Sequence, residues 1–488
     1  MVKDSQDEVF RNEVFMDIFT GSIDERLSAV NKLLNMESNF DIIQRNLTIG
    51  NKRVVIFVIN GFLNSDLCEK IIEYFYNAGA NGMPQNLQEF MDKCVPFADA
   101  KPVDSEQSFK DAVLAGLTCF MIEGYNEIIS LDIRQFPSRS IEEPDKDKVL
   151  RGSRDGFVES LIPNTALVRR RIRDEDLVFE TQKAGRSSRT DLAIGYMKGR
   201  VKETVIEKVM DRIKNIDVDS LTMNQESLAE AIYPSHWYNP FPKFKYTERP
   251  DTAAACLLEG SVIILVDNSP SAMIIPTSLF DIIEDANDYY FPPITGTYLR
   301  LTRMLTNLLA LFITPVFLLF IENPDWIPSG FDFIMIKDDI NVNPLIQFLI
   351  LELAVDGLKM ASVNTPSMLS TPLSVVAAIV FGDYTVQSGW FNSEIMLYMA
   401  FVAVANYTQS NMELGYALKF SRIMLLIVTN FFGIWGFAAG TVVILCALLF
   451  NKTFAGRGYL YPLLPFDGVQ LLKRFLRISL KTNEKLQQ

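Results

Sequence analysis

The sequence predicts an α+β cytoplasmic head, built as two small sheet-and-helix subdomains, followed by an all-α polytopic membrane bundle. Three observations carry this reading. Up to about residue 298, short apolar runs alternate with amphipathic stretches and turn signals. From residue 304 onward, uncharged segments close to the ~20 residues that cross a bilayer recur. The make-up, 49% hydrophobic and 22% charged over 488 residues, lies between that of a soluble protein and that of a pure membrane bundle. A chain of this length outgrows one core, so at least one domain boundary is expected.

Residues 1–36 read as an acidic helical lead-in, in which Ser22 followed by Glu25 forms a capping box that opens a helix. In the subdomain at 37–135, residues 53–59 (RVVIFVI) make a short apolar run closed by Asn60 and Gly61, the pattern of a buried strand. Ser65 then caps an amphipathic helix reaching about Tyr76, and strands and helices alternate to Ile133. The proline-rich, charged stretch at 136–150 is a linker. The second α+β subdomain, 151–298, opens on RGSRDGF and a helix to about Ile172. Runs at 177–183 and 190–197 form a hairpin, a helix follows at about 202–214, and strands at 262–266 and 272–275 turn at Asp267 to Pro270.

The transmembrane bundle, 299–455, shows about five hydrophobic segments, at 304–321, 344–360, 360–382, 395–412 and 423–451, and 456–488 is a basic cytoplasmic tail. Cytoplasmic loops favour Lys and Arg, which places Arg300, Arg303, Lys359, Lys419 and Arg422 inside, together with Lys452, Arg457, Lys473, Arg474 and Arg477 of the tail. Five complete crossings would leave that tail outside, so one segment is re-entrant or doubled. The last is where the break falls, since Gly433, Gly436 and Gly440 allow a short hairpin.

Several function classes are disfavoured. A net charge of −13 repels phosphate backbones, so nucleic acid is not an expected partner. Five cysteines without C-x-x-C spacing read as reduced thiols, and the acidic N-terminus lacks the basic flank and apolar core of a secretory signal, which keeps the head in the cytoplasm. The lone histidine, His236, has no carboxylate or cysteine spaced to share a metal, so neither a metal, a cofactor nor an enzyme is expected.

Two charged groups stand out. Arg151 and Arg154, in a turn before a helix, and Arg169, Arg170, Arg171 and Arg173, followed by Asp174, Glu175 and Asp176, are candidate subunit-interface or anion contacts. The first lacks the Walker order, which favours a structural turn over an anion site, and the second favours a salt-bridged helix end or a contact between subunits over a phosphate reader. Glu352 and Asp356, spaced i,i+4 within a hydrophobic segment, share one helix face with Lys359 nearby. Either they line a cation-attracting lumen, or a buried Asp356–Lys359 pair fixes helix packing.

FPSRSIEEP at 136–144, RGSRDGFVES at 151–160, NTALVRRRIR at 164–173 and RPD at 249–251, in this order, resemble the GerA family of spore germination proteins over nearly the whole chain from about Leu47. Two classes share that architecture, the A subunits of nutrient germinant receptors and the class of stage V sporulation protein AF. DGLKMASVNTP at 356–366, LSTPL at 369–373 and YLYPLLPFD at 459–467 resemble the AF class, although Lys359 and Asn364 stand where that class usually has arginine and histidine. The resemblance implies a multi-pass protein of the inner spore membrane, a homo-oligomeric ion channel releasing monovalent cations, a small membrane partner subunit, and a role in amplifying germination. A receptor A subunit and a non-conducting membrane scaffold are the alternatives.

Overall fold

The computed structural model describes residues 18–80, 82–95, 99–136, 152–233, 238–364, 383–409, 411–456 and 458–478. They form two compact units, one ending at Pro276 and a second running from Thr277 and taking in the Ser235–Lys245 segment, so residues 277–298 group with the helical part rather than with the second subdomain. The linker at 137–150, Arg151, His236 and most of the 360–382 segment lie outside the described residues.

The first unit holds two five-stranded sheets. In one, β1 (Ile42–Ile49), β2 (Lys52–Ile59), β3 (Ala100–Val103), β4 (Thr118–Ile122) and β5 (Ile128–Leu131) are ordered β1-β2-β4-β5-β3, with every neighbouring pair antiparallel. β2 is apolar at successive positions because both of its faces are covered. Val55 and Phe57 meet α1 (Ile23–Leu33) and α4 (Glu106–Leu114), whereas Val54, Ile56 and Val58 meet α2 (Ser65–Ala80) and α3 (Leu87–Cys94). The Ser22/Glu25 capping box opens α1, which packs on this sheet. β1 carries polar residues along its middle because it is an edge strand, which hid it from a hydrophobic pattern.

The second sheet runs β6 (Leu177–Ala184), β7 (Thr190–Met197), β9 (Val262–Val266), β10 (Ala272–Ile275) and β8 (Lys245–Thr247). α5 (Leu161–Arg171) and α8 (Pro250–Leu258) close its core through Leu167, Val168, Ala253 and Leu257 against Phe179, Ile263 and Leu265. α6 (Glu203–Lys214) and α7 (Asn224–Ile232) complete this half.

The second unit is helical. Short helices α9 (Leu279–Ile283) and α10 (Asn287–Tyr290) lead into α11 (Pro293–Glu322); α12 (Pro344–Asn364), α13 (Asp383–Gln387), α14 (Ser393–Tyr407), α15 (Met412–Phe450) and α16 (Gly468–Phe475) follow. Among the described residues, α11 and α15 are long and apolar enough to cross a membrane, and α14 is a shorter apolar helix. α12 and α14 start together: the Gln347 amide donates to Asn392 Oδ1 (2.8 Å), and the Asn392 backbone N–H donates to Gln347 Oε1 (2.9 Å). The far end of α11 packs there too, through Phe317 and Leu318 against Leu345, Phe348 and Ile395. α12 and α14 are therefore parallel to each other and antiparallel to α11.

α15 folds back on itself. Gly433 has φ 55° and ψ −138°, conformational space open to glycine, and it separates legs at 412–432 and 434–450. The legs touch so closely that a Cβ on Gly436 would lie 2.2 Å from the Val428 carbonyl oxygen, and one on Gly440 would lie 2.7 Å from Leu425 Cδ1. Each leg is within the roughly 17–25 residues that span a bilayer. The helix starts well before residue 423, where the hydrophobic pattern alone placed it, and this supplies the length for two legs. The chain thus returns to the end of the bundle that holds the start of α11, where Tyr459 packs on Phe241 and its carbonyl accepts from the Leu279 N–H (3.0 Å).

A leucine at Gly436 would drive these legs apart, a strain of about 1–3 kcal/mol or more. Gly436→Leu is expected to lower the thermal unfolding midpoint of the detergent-purified protein. Gly415→Ala, whose added methyl meets only the Gln409 side chain at 3.9 Å, is expected to leave the midpoint unchanged.

Candidate functional site

Between the long helices of the helical unit lies a charged quartet on two antiparallel helices. α12 presents Glu352 and Asp356 one turn apart, and the first leg of α15 presents Lys419 and Arg422 three residues apart, so residue 352 meets 422 and 356 meets 419. Arg422 donates from Nε to Glu352 Oε1 (2.6 Å) and from Nη1 to the Ala310 carbonyl of α11 (2.8 Å). Lys419 Nζ donates to the Glu352 carbonyl (3.0 Å) and to Asp356 Oδ2, and lies 3.6 Å from Glu352 Oε2. Two cations match two carboxylates, which is what allows charge to sit at this depth.

The members differ in access. Arg422 and Glu352 are buried, whereas the Asp356 side chain is 29% exposed and lines a small cleft with Lys359, Asn406, Tyr407 and Tyr416. The partner of Asp356 is Lys419, across the helices, in place of the Asp356–Lys359 pairing the spacing suggested. Lys359 instead holds its ammonium 4.8 Å from the centre of the Tyr416 ring. Lys419 and Arg422, read from the sequence as cytoplasmic loop charges, are buried inside α15. A Lys/Arg pair at i,i+3 in one apolar stretch, matching a carboxylate pair at i,i+4 in another, was the signal available for this. Nearby on α11, Asn307 and Thr314 are buried without a hydrogen-bond partner for their side chains, as is Thr429 on α15.

Arg169, Arg171 and Arg249 of the head motifs turn inward. Arg169 is fully buried and grips Asp41 with Nε (2.8 Å) and Nη2 (3.0 Å), while Nη1 reaches the Asp174 carbonyl (3.2 Å). Arg171 pairs with Asp155 (2.6 Å) and Ser153 Oγ (3.1 Å). Arg249 pairs with Asp251 and donates to the Ser153 carbonyl (2.9 Å). Through their described residues, the motifs at 151–160, 164–173 and 249–251 thus meet at Ser153. Arg170 is exposed and stacks 4.6 Å from the Phe136 ring centre, and Arg154 and Arg173 are exposed. Asp41 is the partner that sequence reasoning missed, because it lies 128 residues from Arg169.

A third network sits at the base of α11. Arg300 reaches Glu284 (2.7 Å) and Asp288 (3.4 Å), Arg303 reaches Asp288 (3.0 Å), and Arg474 of α16 pairs with Asp281 and Glu284. Burial pushes the Glu284 carboxyl up, but Arg474, Arg300 and Lys245, with the Tyr289 hydroxyl, outweigh it and hold the group at about 2.

A family model described as Bacillus/Clostridium GerA spore germination protein matches residues 29–488. The chain belongs to the GerA family of spore germination proteins. Stage V sporulation protein AF of Bacillus subtilis is 36% identical over 91% of this chain and 90% of its own length. Spore germination protein KA of the same organism is 26% identical over 92% of this chain and 83% of its own. Among solved structures, the N-terminal domain of the A subunit of the Bacillus megaterium spore germinant receptor GerK3 is similar, with 25% identity, 52% of this chain and 94% of that one covered, and a TM-score of 0.41. In this GerA-family chain Arg169 and Arg249 of the motifs that carry the resemblance are buried in the head, and the quartet builds the interior of the bundle.

Two outcomes follow for stability. Removing one partner of a buried ion pair costs about 3–5 kcal/mol, so Arg169→Met is expected to lower the unfolding midpoint sharply, while Arg173→Met, at an exposed position, leaves it near that of the unsubstituted protein. Glu284 titrates near 2 when folded and near its ordinary 4.5 when unfolded. Its contribution, on the order of 3 kcal/mol, is fully present above pH 4.5 and lost as pH falls towards 2. An acid melting series of Glu284→Gln against the unsubstituted protein should show that part of the slope disappear.

Proposed function

We propose that this chain is a subunit of a homo-oligomeric channel in the inner spore membrane, which releases monovalent cations and amplifies germination alongside a small membrane partner. The observation that carries the reading is the partly exposed Asp356 carboxylate, held at the edge of a cleft by the buried Glu352–Arg422–Lys419 arrangement. A carboxylate at this depth that is fixed yet reachable attracts cations into a polar path. The unpartnered side chains of Asn307, Thr314 and Thr429 support it, since buried polar groups of this kind are satisfied by water, ions or a neighbouring subunit. The 36% identity to stage V sporulation protein AF, against 24–26% for several germination proteins of the A1, KA and GerLA type, supports an amplifying role over nutrient recognition. The head and the tail lie on the cytoplasmic side in this reading, and the loop around Phe331 faces away from it.

Flux measurements in proteoliposomes test this. Asp356→Asn at equal protein level is expected to lower potassium efflux roughly tenfold, the factor that about 1.4 kcal/mol of lost cation stabilisation produces. Glu352→Gln, which strips Arg422 of its carboxylate, is expected to reduce the amount of folded protein instead. Normal efflux through Asp356→Asn removes the pore assignment, and no efflux from the unsubstituted protein, alone or with its partner subunit, leaves a membrane scaffold. In spores lacking only this protein, slower potassium release that still responds to every nutrient identifies the amplifier.

A further inference from the structure

The C-terminal segment is folded inside out for a water-facing tail. In α16, Arg474 points into the protein to Asp281 and Glu284, and Phe475 packs 6.0 Å from Phe280, while Val469 and Leu472 face outward. The turn before it does the same. Tyr459 is buried, yet Leu463, Leu464 and Phe466 stand exposed, Phe466 at 73%, and Leu476 just after the helix is exposed as well. A contiguous apolar face with its arginine turned away from solvent has no place on a surface bathed in water.

What this face adjoins identifies its partner. The segment is pinned to the first turn of α11: the Arg477 N–H donates to Thr297 Oγ1 (3.0 Å), its guanidinium donates to the Tyr289 carbonyl (2.8 Å), and Arg300 donates to the Lys473 carbonyl (2.7 Å). Gly296 lets this happen, since a Cβ there would meet Asp288 O at 2.2 Å and Arg477 Cδ at 3.1 Å. From that point α11 carries an outward stripe at helical spacing, Ile294, Tyr298, Leu301, Leu305 and Leu308, all exposed, which is the face a spanning helix turns to lipid. The outward residues of the tail are exposed on a segment bonded to the base of α11, where Tyr289 and Tyr298 have the amphipathic character of membrane-interface aromatics. Lys473 sits at the margin of the apolar face, placed to reach anionic headgroups.

We infer that residues 463–476 form an interfacial anchor that lies in the headgroup–acyl boundary of the cytoplasmic leaflet, its leucines and phenylalanine in lipid and its arginine clamped to the base of α11. This rests on the reading of the bundle as membrane-embedded. The clamp ties the depth of the tail in the leaflet to the position of α11, because Arg474 and Arg300 share Glu284.

The test uses the full-length protein in phosphatidylcholine–phosphatidylglycerol vesicles, with a ketoxime spin label on p-acetylphenylalanine placed singly at Val469, Leu472, Leu305 and Thr204. Leu305 reports the bundle, and the exposed Thr204 of the head reports water. Val469 and Leu472 are expected to show an oxygen-to-nickel-chelate accessibility ratio several-fold above that at Thr204, with Leu305 also high. A high ratio at Leu305 with the water value at 469 and 472 overturns the anchor and leaves the bundle in the membrane. Water values at all three overturn the membrane reading itself. Shielding of 469 and 472 from both reagents means that a protein chain covers the face, which also overturns the anchor. A label at 469 combined with Leu472→Glu guards against misfolding of either labelled site: the oxygen ratio is expected to fall while the Leu305 value stays high, and an unchanged ratio at 469 counts against lipid contact.

Discussion

Arg422 is the hub on which the helical unit depends. Its guanidinium joins Glu352 of α12 to the Ala310 carbonyl of α11 from the first leg of α15, so three helices meet at one planar group. Taking such charges out of water costs several kcal/mol each, and close pairing recovers that only in one alignment. Sliding α15 along α12 by one turn, about 5.4 Å, would set Arg422 beside Val355 and Asp356 and leave Glu352 without its cation. The quartet therefore fixes register in a seam where leucine against leucine would tolerate several. Apolar residues of similar volume often stabilise as well as a buried ion pair does, so stability alone gives no reason for four charges here. Specification of register does.

The fold-back at Gly433 is the second constraint, and it makes the first achievable. With the legs folded, Leu425 packs on Ile444 and Leu311, so the leg bearing Lys419 and Arg422 is enclosed between α11, α12 and its own return leg. Glycines at 433, 436 and 440 do distinct work: the first supplies the positive φ of the turn, and the other two remove side chains where the legs touch. A straight helix of 39 residues would carry the tail to the opposite end of the bundle from Phe241 and Leu279, which Tyr459 contacts.

Much of this was legible in the sequence, for identifiable reasons. The strands at 262–266 and 272–275, the hairpin from Leu177 to Met197 and the capping box at Ser22 are local patterns, set by alternation and by residues three apart. β1 was not, because an edge strand with polar residues at its centre has the composition of a loop. The roles of Lys419 and Arg422 were hidden for a different reason. A reading that ends a membrane segment at each charge assigns cations to loops, and their burial becomes intelligible only once the carboxylates 63 and 70 residues earlier are known to face them. The arginine-rich head motifs left a salt-bridged helix end and a subunit contact both open, and the partner of Arg169 was out of reach of local pattern: it spends its charge on Asp41 in the interior, where a planar fork matches a carboxylate better than an ammonium would.

α11 links the features at the two levels of the unit. Near its start Arg300 and Arg303 hold Glu284 and Asp288, along its length the Ala310 carbonyl holds Arg422, and its far end packs on the starts of α12 and α14. A helix advances about 100° per residue, so Arg300, Arg303 and Ala310 lie within one sector, and a rotation of α11 large enough to release its base would also pull Ala310 from Arg422. The cation at the base and the cation in the middle are thus two readings of the position of one rigid rod. Asp356 stands apart from that rod, joined to it only through Lys419 and Glu352, and it keeps its edge on the cleft.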